Sequence, residues 1–91
     1  MTIRDDQVFR IPKDVLFQEV GGETVLLDLE SEQYFGLDEI GTRIWALLGE
    51  GRSSEDIVAV LLDEYDVDRA RLAADVRELL GALLDAGLIE S

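Results

Sequence analysis

The chain has 91 residues, a length that predicts a single domain over residues 1–91 with one core. Its 47% apolar and 32% charged content is typical of a globular protein. A net charge of −13, from 21 acidic and 8 basic residues, opposes binding to nucleic acid and to anionic membranes. Since neither a long apolar run nor a secretion signal is evident, we expect a cytoplasmic, soluble protein.

Cysteine and histidine are both absent from the sequence. Their absence excludes disulfides, thiolate or imidazole metal sites, cysteine nucleophiles and every catalytic triad that needs histidine. Catalysis by carboxylates alone needs a concave pocket that separates two pKa values, which a chain of this size rarely builds. We therefore predict no catalytic residue, no metal site and no cofactor, and we do not expect an enzyme.

The first third of the sequence has the pattern of a β-hairpin. Residues 15–20 end at Gly21-Gly22, and residues 24–29 follow at once. A glycine pair supplies the positive φ angles of a tight hairpin turn. The wholly apolar face of the second strand is predicted to pack on the core, and it consists of Val25, Leu27 and Leu29.

A third antiparallel strand is predicted at residues 33–37, after a polar break at residues 30–32. Consecutive strands usually pair, which leaves this strand at an edge of the sheet. Phe35 and Leu37 share the face expected in the core, whereas Tyr34 points the other way. Residues 1–14 are expected to form an extended arm, with apolar side chains laid over the second face of the sheet, namely Val8, Phe9 and Ile11.

Helical periodicity begins after the third strand and predicts three helices. The expected N-caps are Asp38, Ser53 or Ser54, and Asp68. The expected ends are the segment 49–51, Tyr65 and about Ala86, with Leu88-Ile89 folding back onto the core. Trp45 is predicted to be a core residue of the first helix. The fold class is therefore α+β and winged helix-turn-helix-like, with a three-stranded antiparallel sheet followed by three helices.

The last predicted helix has a wider apolar surface than packing against a single neighbouring element requires. One stripe is formed by Leu72, Val76, Leu79 and Leu83, and a flank by Ala73, Leu80 and Leu84, interrupted by Arg77. Two interpretations stay open. Either both sets are core, or the flank lines a groove.

Winged-helix domains often bind DNA. The second and third predicted helices contain only three basic residues, Arg69, Arg71 and Arg77, so their charge argues against DNA binding. Small acidic proteins also include acyl carriers, whose attachment serine stands in Asp-Ser-Leu at a helix start. No serine of this chain has that context.

A series of short segments has a characteristic order and spacing along the chain. These are Val25-Leu26-Leu27-Asp28-Leu29, Tyr34-Phe35-Gly36-Leu37-Asp38, Gly41 with Ile44-Trp45, Gly49-Glu50-Gly51-Arg52-Ser53 with Ile57, Asp75-Val76, and Leu83 with Gly87-Leu88-Ile89. Through the order and spacing of these segments, rather than through any one of them, the sequence resembles the PqqD-like family, also called the RiPP recognition element, over about residues 15 to 90.

The chain departs from the family pattern at three places. Asp38 stands where the family often has asparagine, and both residues cap helices. Members that serve pyrroloquinoline quinone synthesis usually have Leu-Cys-Asp-Gly where this chain has residues 48–51, Leu-Gly-Glu-Gly, and Tyr-Pro-Glu where it has residues 30–32, Glu-Ser-Glu. The chain is thus more similar to the free-standing recognition proteins of lasso-peptide clusters.

The resemblance implies binding of the leader segment of a precursor peptide as an added antiparallel strand, in the cleft between the third strand and the third helix. The peptide-binding residues it implies are Gln33, Tyr34, Phe35, Gly36, Leu37, Ala73, Val76, Arg77, Leu80 and Leu84. It also implies a transglutaminase-like cysteine leader protease as partner, and a ring-forming synthetase as a further one. An adaptor for a radical-based oxidase and a winged-helix transcription regulator are the alternatives.

Overall fold

Three strands precede three helices in the computed structural model, which describes residues 6–91. Residues 1–5 of the predicted arm lie outside the described residues. The elements are β1 (Val15–Val20), β2 (Glu23–Asp28), β3 (Gln33–Leu37), α1 (Glu39–Gly49), α2 (Ser54–Glu64) and α3 (Arg69–Asp85). The sheet is antiparallel in the order β1-β2-β3. The predicted α+β fold class is confirmed, with element ends within a residue or two of those expected.

Local sequence signals set the element ends. Gly21 and Gly22 have φ angles of 62° and 86°, the left-handed values that the hairpin between β1 and β2 requires. Each helix begins at the predicted cap, whose side chain accepts a hydrogen bond from a backbone N–H three residues later. The three caps are Asp38 with Gly41 (2.8 Å), Ser53 with Asp56 (3.2 Å) and Asp68 with Arg71 (3.1 Å).

The sheet packs on the helices through the face opposite to the predicted one. Leu26 is fully buried, whereas Val25 and Leu29 are 49% and 51% exposed. Leu26 lies opposite Phe17 on β1 and Phe35 on β3, so its face gains aromatic neighbours from both flanking strands. The prediction that Val25, Leu27 and Leu29 face the core is wrong, because it weighs one strand without its cross-strand partners.

Trp45 is buried, as predicted, and ties α1 to the sheet. Its ring meets that of Phe17 edge to face, with centroids 5.6 Å apart and planes at 71°. A second link is polar and also buried, since the hydroxyl of Thr24 on β2 donates to that of Thr42 on α1 at 2.9 Å. The helices complete the core with Leu47, Leu48, Ile57, Leu61, Leu80 and Leu83.

The segment before β1 pairs with the C-terminal segment that follows α3. Arg10 and Glu90 exchange backbone hydrogen bonds of 2.6 and 2.8 Å, and their side chains form an ion pair at 2.7 Å. Leu88 and Ile89 are buried, so the predicted fold-back of the C-terminus is confirmed. Phe9 joins the same buried cluster, which places this part of the arm with the core. Between residues 6 and 91, no helix has both the length and the apolar character needed to cross a bilayer.

Candidate functional site

The third strand has an unpaired edge. β3 pairs with β2 on one side, and its other side has no strand partner among residues 6–91. Along the strand Tyr34 is 74% exposed, Phe35 is half-buried and Leu37 is buried. Main-chain N–H and C=O groups along a free edge can pair with another extended chain. This edge was predicted, and it is the first component of the candidate site.

A cleft of about 400 Å³ opens at the C-terminal end of this edge. Its walls come from β3, the first turns of α1 and the middle of α3. The lining residues are Gly36, Leu37, Asp38, Ile40, Gly41, Ile44, Asp75 and Leu79. The long side chains are apolar and the two charged groups are both carboxylates, so the cleft suits apolar and basic groups.

The turn from β3 into α1 gives the cleft its shape. Asp38 ends the strand, and its Oδ1 accepts the hydrogen bond from the Gly41 N–H that begins α1. A Cβ atom at Gly41 would lie 3.2 Å from that oxygen and 3.3 Å from the Leu37 side chain. Gly41 therefore permits a close turn, which holds Leu37 and Ile40 on the cleft wall.

The basic side chain of α1, Arg43, is paired with an acidic residue outside the cleft. Arg43 on α1 binds Glu64 at the end of α2 through a bidentate contact, with Nε–Oε1 at 2.8 Å and Nη2–Oε2 at 2.6 Å. The hydrogen bond from Arg43, reinforced by its charge, lowers the pKa of Glu64, and the same hydrogen bond raises the pKa of Arg43. The charges that line the cleft itself therefore remain those of Asp38 and Asp75.

The predicted residues of α3 fall in two other places. Val76 and Leu80 have no exposed surface and belong to the core. Ala73 and Arg77 line a separate cavity of about 180 Å³ against α2. Val76 also borders this cavity, together with Ser54, Glu55, Val58 and Arg69. Leu84 is half-buried against the core.

Sequence reasoning missed the two residues through which α3 reaches the cleft, Asp75 and Leu79. They are four residues apart and so lie on one face of the helix, on the opposite shoulder from Ala73 and Arg77. Their four-residue spacing predicts that they share one face of the helix, but it does not show which shoulder of the helix faces the sheet.

The strand at the other edge of the sheet offers less space. Among residues 6–91, β1 likewise pairs with β2 alone, and it borders a cavity of about 150 Å³ against α1 and residue Ile11. Phe17, Trp45 and Gly49 are among its lining residues. Across residues 6–91 no group of three acidic side chains is placed to hold a metal ion.

Comparison with known proteins places the chain in a family. The family model described as coenzyme PQQ synthesis protein D (PqqD) matches residues 23–89, a range that contains β3, α1 and α3. A search of the curated proteins found no match.

Two solved structures are similar over nearly the whole chain. One is "TbiB1 in Complex with the TbiA(beta) Leader Peptide", 43% identical over 90% of this chain and 95% of that chain, with a TM-score of 0.85. The other is "Lasso peptide synthetase B1 complexed with the leader peptide", 27% identical over 93% of this chain and 100% of that chain, with a TM-score of 0.84. Each neighbour was solved with a leader peptide.

Proposed function

The chain belongs to the PqqD family, and on that premise we propose that it is a non-catalytic adaptor for the leader of a ribosomally made precursor peptide. The leader adds to the sheet as an antiparallel strand along the free edge of β3. The observation that carries the proposal is the position of this edge beside a 400 Å³ cleft whose other wall is α3. The two leader-peptide complexes among similar structures support it.

Strand addition divides the recognition between backbone and side chains. The unpaired main chain of residues 33–37 supplies hydrogen bonds that any extended peptide can make. Alternate side chains of an added strand point the same way, so one set reaches the cleft. There Leu79 and Ile40 offer apolar contact, and Asp75 favours a basic side chain of the leader.

The leader is then presented to a separate enzyme. The chain has neither cysteine nor histidine, so it offers no cysteine nucleophile and no histidine general base for cutting a peptide. We propose that a transglutaminase-like cysteine protease removes the bound leader in a lasso-peptide pathway and that a ring-forming synthetase acts afterwards. In a pathway with different chemistry, a radical-based oxidase would take the place of the protease.

Binding of a labelled leader tests the proposal directly. The probes are the TbiA(beta) leader and the leader of any precursor encoded beside this chain, each titrated with the full chain and followed by fluorescence anisotropy. We expect saturable binding of the leader encoded beside this chain, no binding of labelled duplex DNA and no cleavage of the precursor by the chain alone. Retention of DNA with no binding of either leader would identify a winged-helix regulator instead and would overturn the adaptor.

A further inference from the structure

A cavity of about 150 Å³ lies between β1 and α1, at the edge of the sheet opposite the candidate cleft. Its walls are mainly apolar and include Ile11 from the segment before β1, Phe17 from β1, and Trp45 and Ala46 from α1. A cavity of about 150 Å³ in another protein is known to hold one benzene ring. The cavity beside β1 therefore has the size and the walls to take a single aromatic ring.

Trp45 brings an unpaired polar group to the wall of this cavity. Its side chain is 3% exposed, and its Nε1 is buried without a hydrogen-bond partner among residues 6–91. Nearly all buried donors in folded proteins are paired, so an unpaired one calls for an explanation. The two hydroxyls of the same wall are already engaged, since Thr24 donates to Thr42. A ligand that carries an acceptor atom would pair the indole N–H.

The charge around the cavity favours a neutral ligand. Glu19 contributes a carboxylate to the wall, and the whole chain has a net charge of −13. A carboxylate on the ligand would be repelled by this field and would lose its hydration on entering an apolar space. A phenolic hydroxyl is neutral at pH 7, since its pKa is about 10, and its oxygen can accept a hydrogen bond.

From the size of the cavity, the unpaired indole N–H and the surrounding charge, we propose that this cavity is a second binding site, which takes a small, neutral, single-ring phenol. The ring packs against Phe17 and Ile11, and the hydroxyl oxygen accepts a hydrogen bond from Trp45 Nε1. The residues that line this cavity and those that line the cleft beside β3 have no member in common. The site therefore goes beyond leader binding and does not depend on it.

Three small molecules test the proposed chemistry, namely phenol, toluene and benzoate. Each is titrated into the isotope-labelled full chain and followed by NMR, in which Trp45, as the only tryptophan, gives a single indole N–H resonance. Toluene has nearly the shape of phenol but no acceptor, and it leaves water more readily, so a purely apolar space prefers toluene. We expect phenol to bind at least threefold more tightly than toluene and at least tenfold more tightly than benzoate, and to move the indole resonance downfield.

Matched substitutions test the position of the site. Ala46→Leu enlarges an exposed side chain of α1 that lines the cavity, and Ala59→Leu adds the same side chain at an exposed position of α2 outside it. We expect Ala46→Leu to weaken phenol binding at least tenfold and Ala59→Leu to change it less than twofold. Leader binding should change less than twofold in both variants.

A third variant, Trp45→Phe, removes the donor and keeps an aromatic ring. We expect it to abolish the preference for phenol over toluene. Because Trp45 is a buried core residue, the variant is used only if it retains cooperative melting. If it does not, the indole resonance of the wild-type chain carries the same test.

Several results would overturn the proposal. These are the absence of saturable phenol binding, toluene binding as tight as that of phenol with an unmoved indole resonance, and phenol binding that Ala46→Leu leaves unchanged. Displacement of bound leader by phenol would place the phenol in the cleft beside β3. Affinity for N-acetyltyrosinamide equal to that for phenol would reassign the occupant to a tyrosine side chain of a polypeptide. A chain that binds phenol but no leader contradicts the proposed function and leaves this site intact.

Discussion

At the scale of single residues, the proposed function makes its sharpest prediction for Leu79. It is half-buried on the shoulder of α3 that faces the cleft, whose other walls include Ile40 and Leu37. A carboxylate there would be desolvated by any peptide that covers it. We expect Leu79→Glu to weaken leader binding more than tenfold, since covering a large apolar side chain contributes about 1.5–3 kcal/mol. Anisotropy titration of the cognate leader measures this.

Ala73→Glu is the matched control for Leu79→Glu. It adds the same group to the same helix, but on the shoulder that faces α2. We expect leader binding within about threefold of wild type if the variant keeps its circular dichroism spectrum and cooperative melting. The opposite result, with Ala73→Glu losing the leader and Leu79→Glu binding normally, would move the peptide to the groove between α2 and α3.

At the level of the elements, the sequence predicts boundaries better than faces. Hairpin glycines and helix caps act within three or four residues, so Gly21, Asp38 and Asp68 mark ends that the structure confirms. The buried face of β2 depends on Phe17 and Phe35 in its neighbours, which no single strand reveals.

The same limit applies to α3 and therefore to the candidate site. Periodicity shows that two shoulders flank its buried stripe. Which shoulder meets β3 depends on how α3 packs across the molecule, so the edge of residues 33–37 could be predicted but Asp75 and Leu79 could not.

The packing of β2 on α1 includes a buried polar contact whose energy can be tested by a double-mutant cycle. The hydroxyls of Thr24 and Thr42 are buried and hydrogen-bonded to one another at 2.9 Å. Thr24→Val or Thr42→Val alone deprives the remaining hydroxyl of this partner, at a cost of about 1–3 kcal/mol. We expect the double variant to lose less stability than the sum of the two single variants in urea denaturation. Strict additivity would show that the two hydroxyls are not coupled.

The ion pair between α1 and α2 predicts how stability responds to acid. Arg43 lowers the pKa of Glu64 below its ordinary value of 4.5 in the folded state, so the unfolded chain takes up the Glu64 proton first as pH falls. The stabilisation is therefore present above pH 4.5 and is lost as the pH falls through the lowered pKa. Single and double substitutions Arg43→Gln and Glu64→Gln, compared by urea denaturation, should show coupling at pH 7 that weakens as the pH falls below 4.5. Coupling that is unchanged at pH 3 would contradict this assignment.

The whole chain is strongly acidic, and within residues 6–91 both edges of the sheet are free of a strand partner. Only the β3 edge opens into the larger cleft, about 400 Å³ against about 150 Å³ beside β1. The composition alone predicts that the electrostatic potential around both edges is negative. We therefore expect charge to affect the association rate of a peptide and the shape of the cleft to determine where the peptide binds.

Salt separates these two contributions. A net charge of −13 attracts a basic leader over about one Debye length, which falls from about 30 Å at 0.01 M salt to about 4–5 Å at 0.5 M. We expect the association rate of a lysine-containing leader to fall markedly over this range in stopped-flow measurements, while its dissociation rate changes little, because steering acts before contact. A leader variant with its lysines replaced by glutamine is the control and should associate at a rate nearly independent of salt. If the lysine-containing leader is equally insensitive, the acidic surface contributes nothing to peptide capture and its remaining role is to keep the chain apart from its own copies.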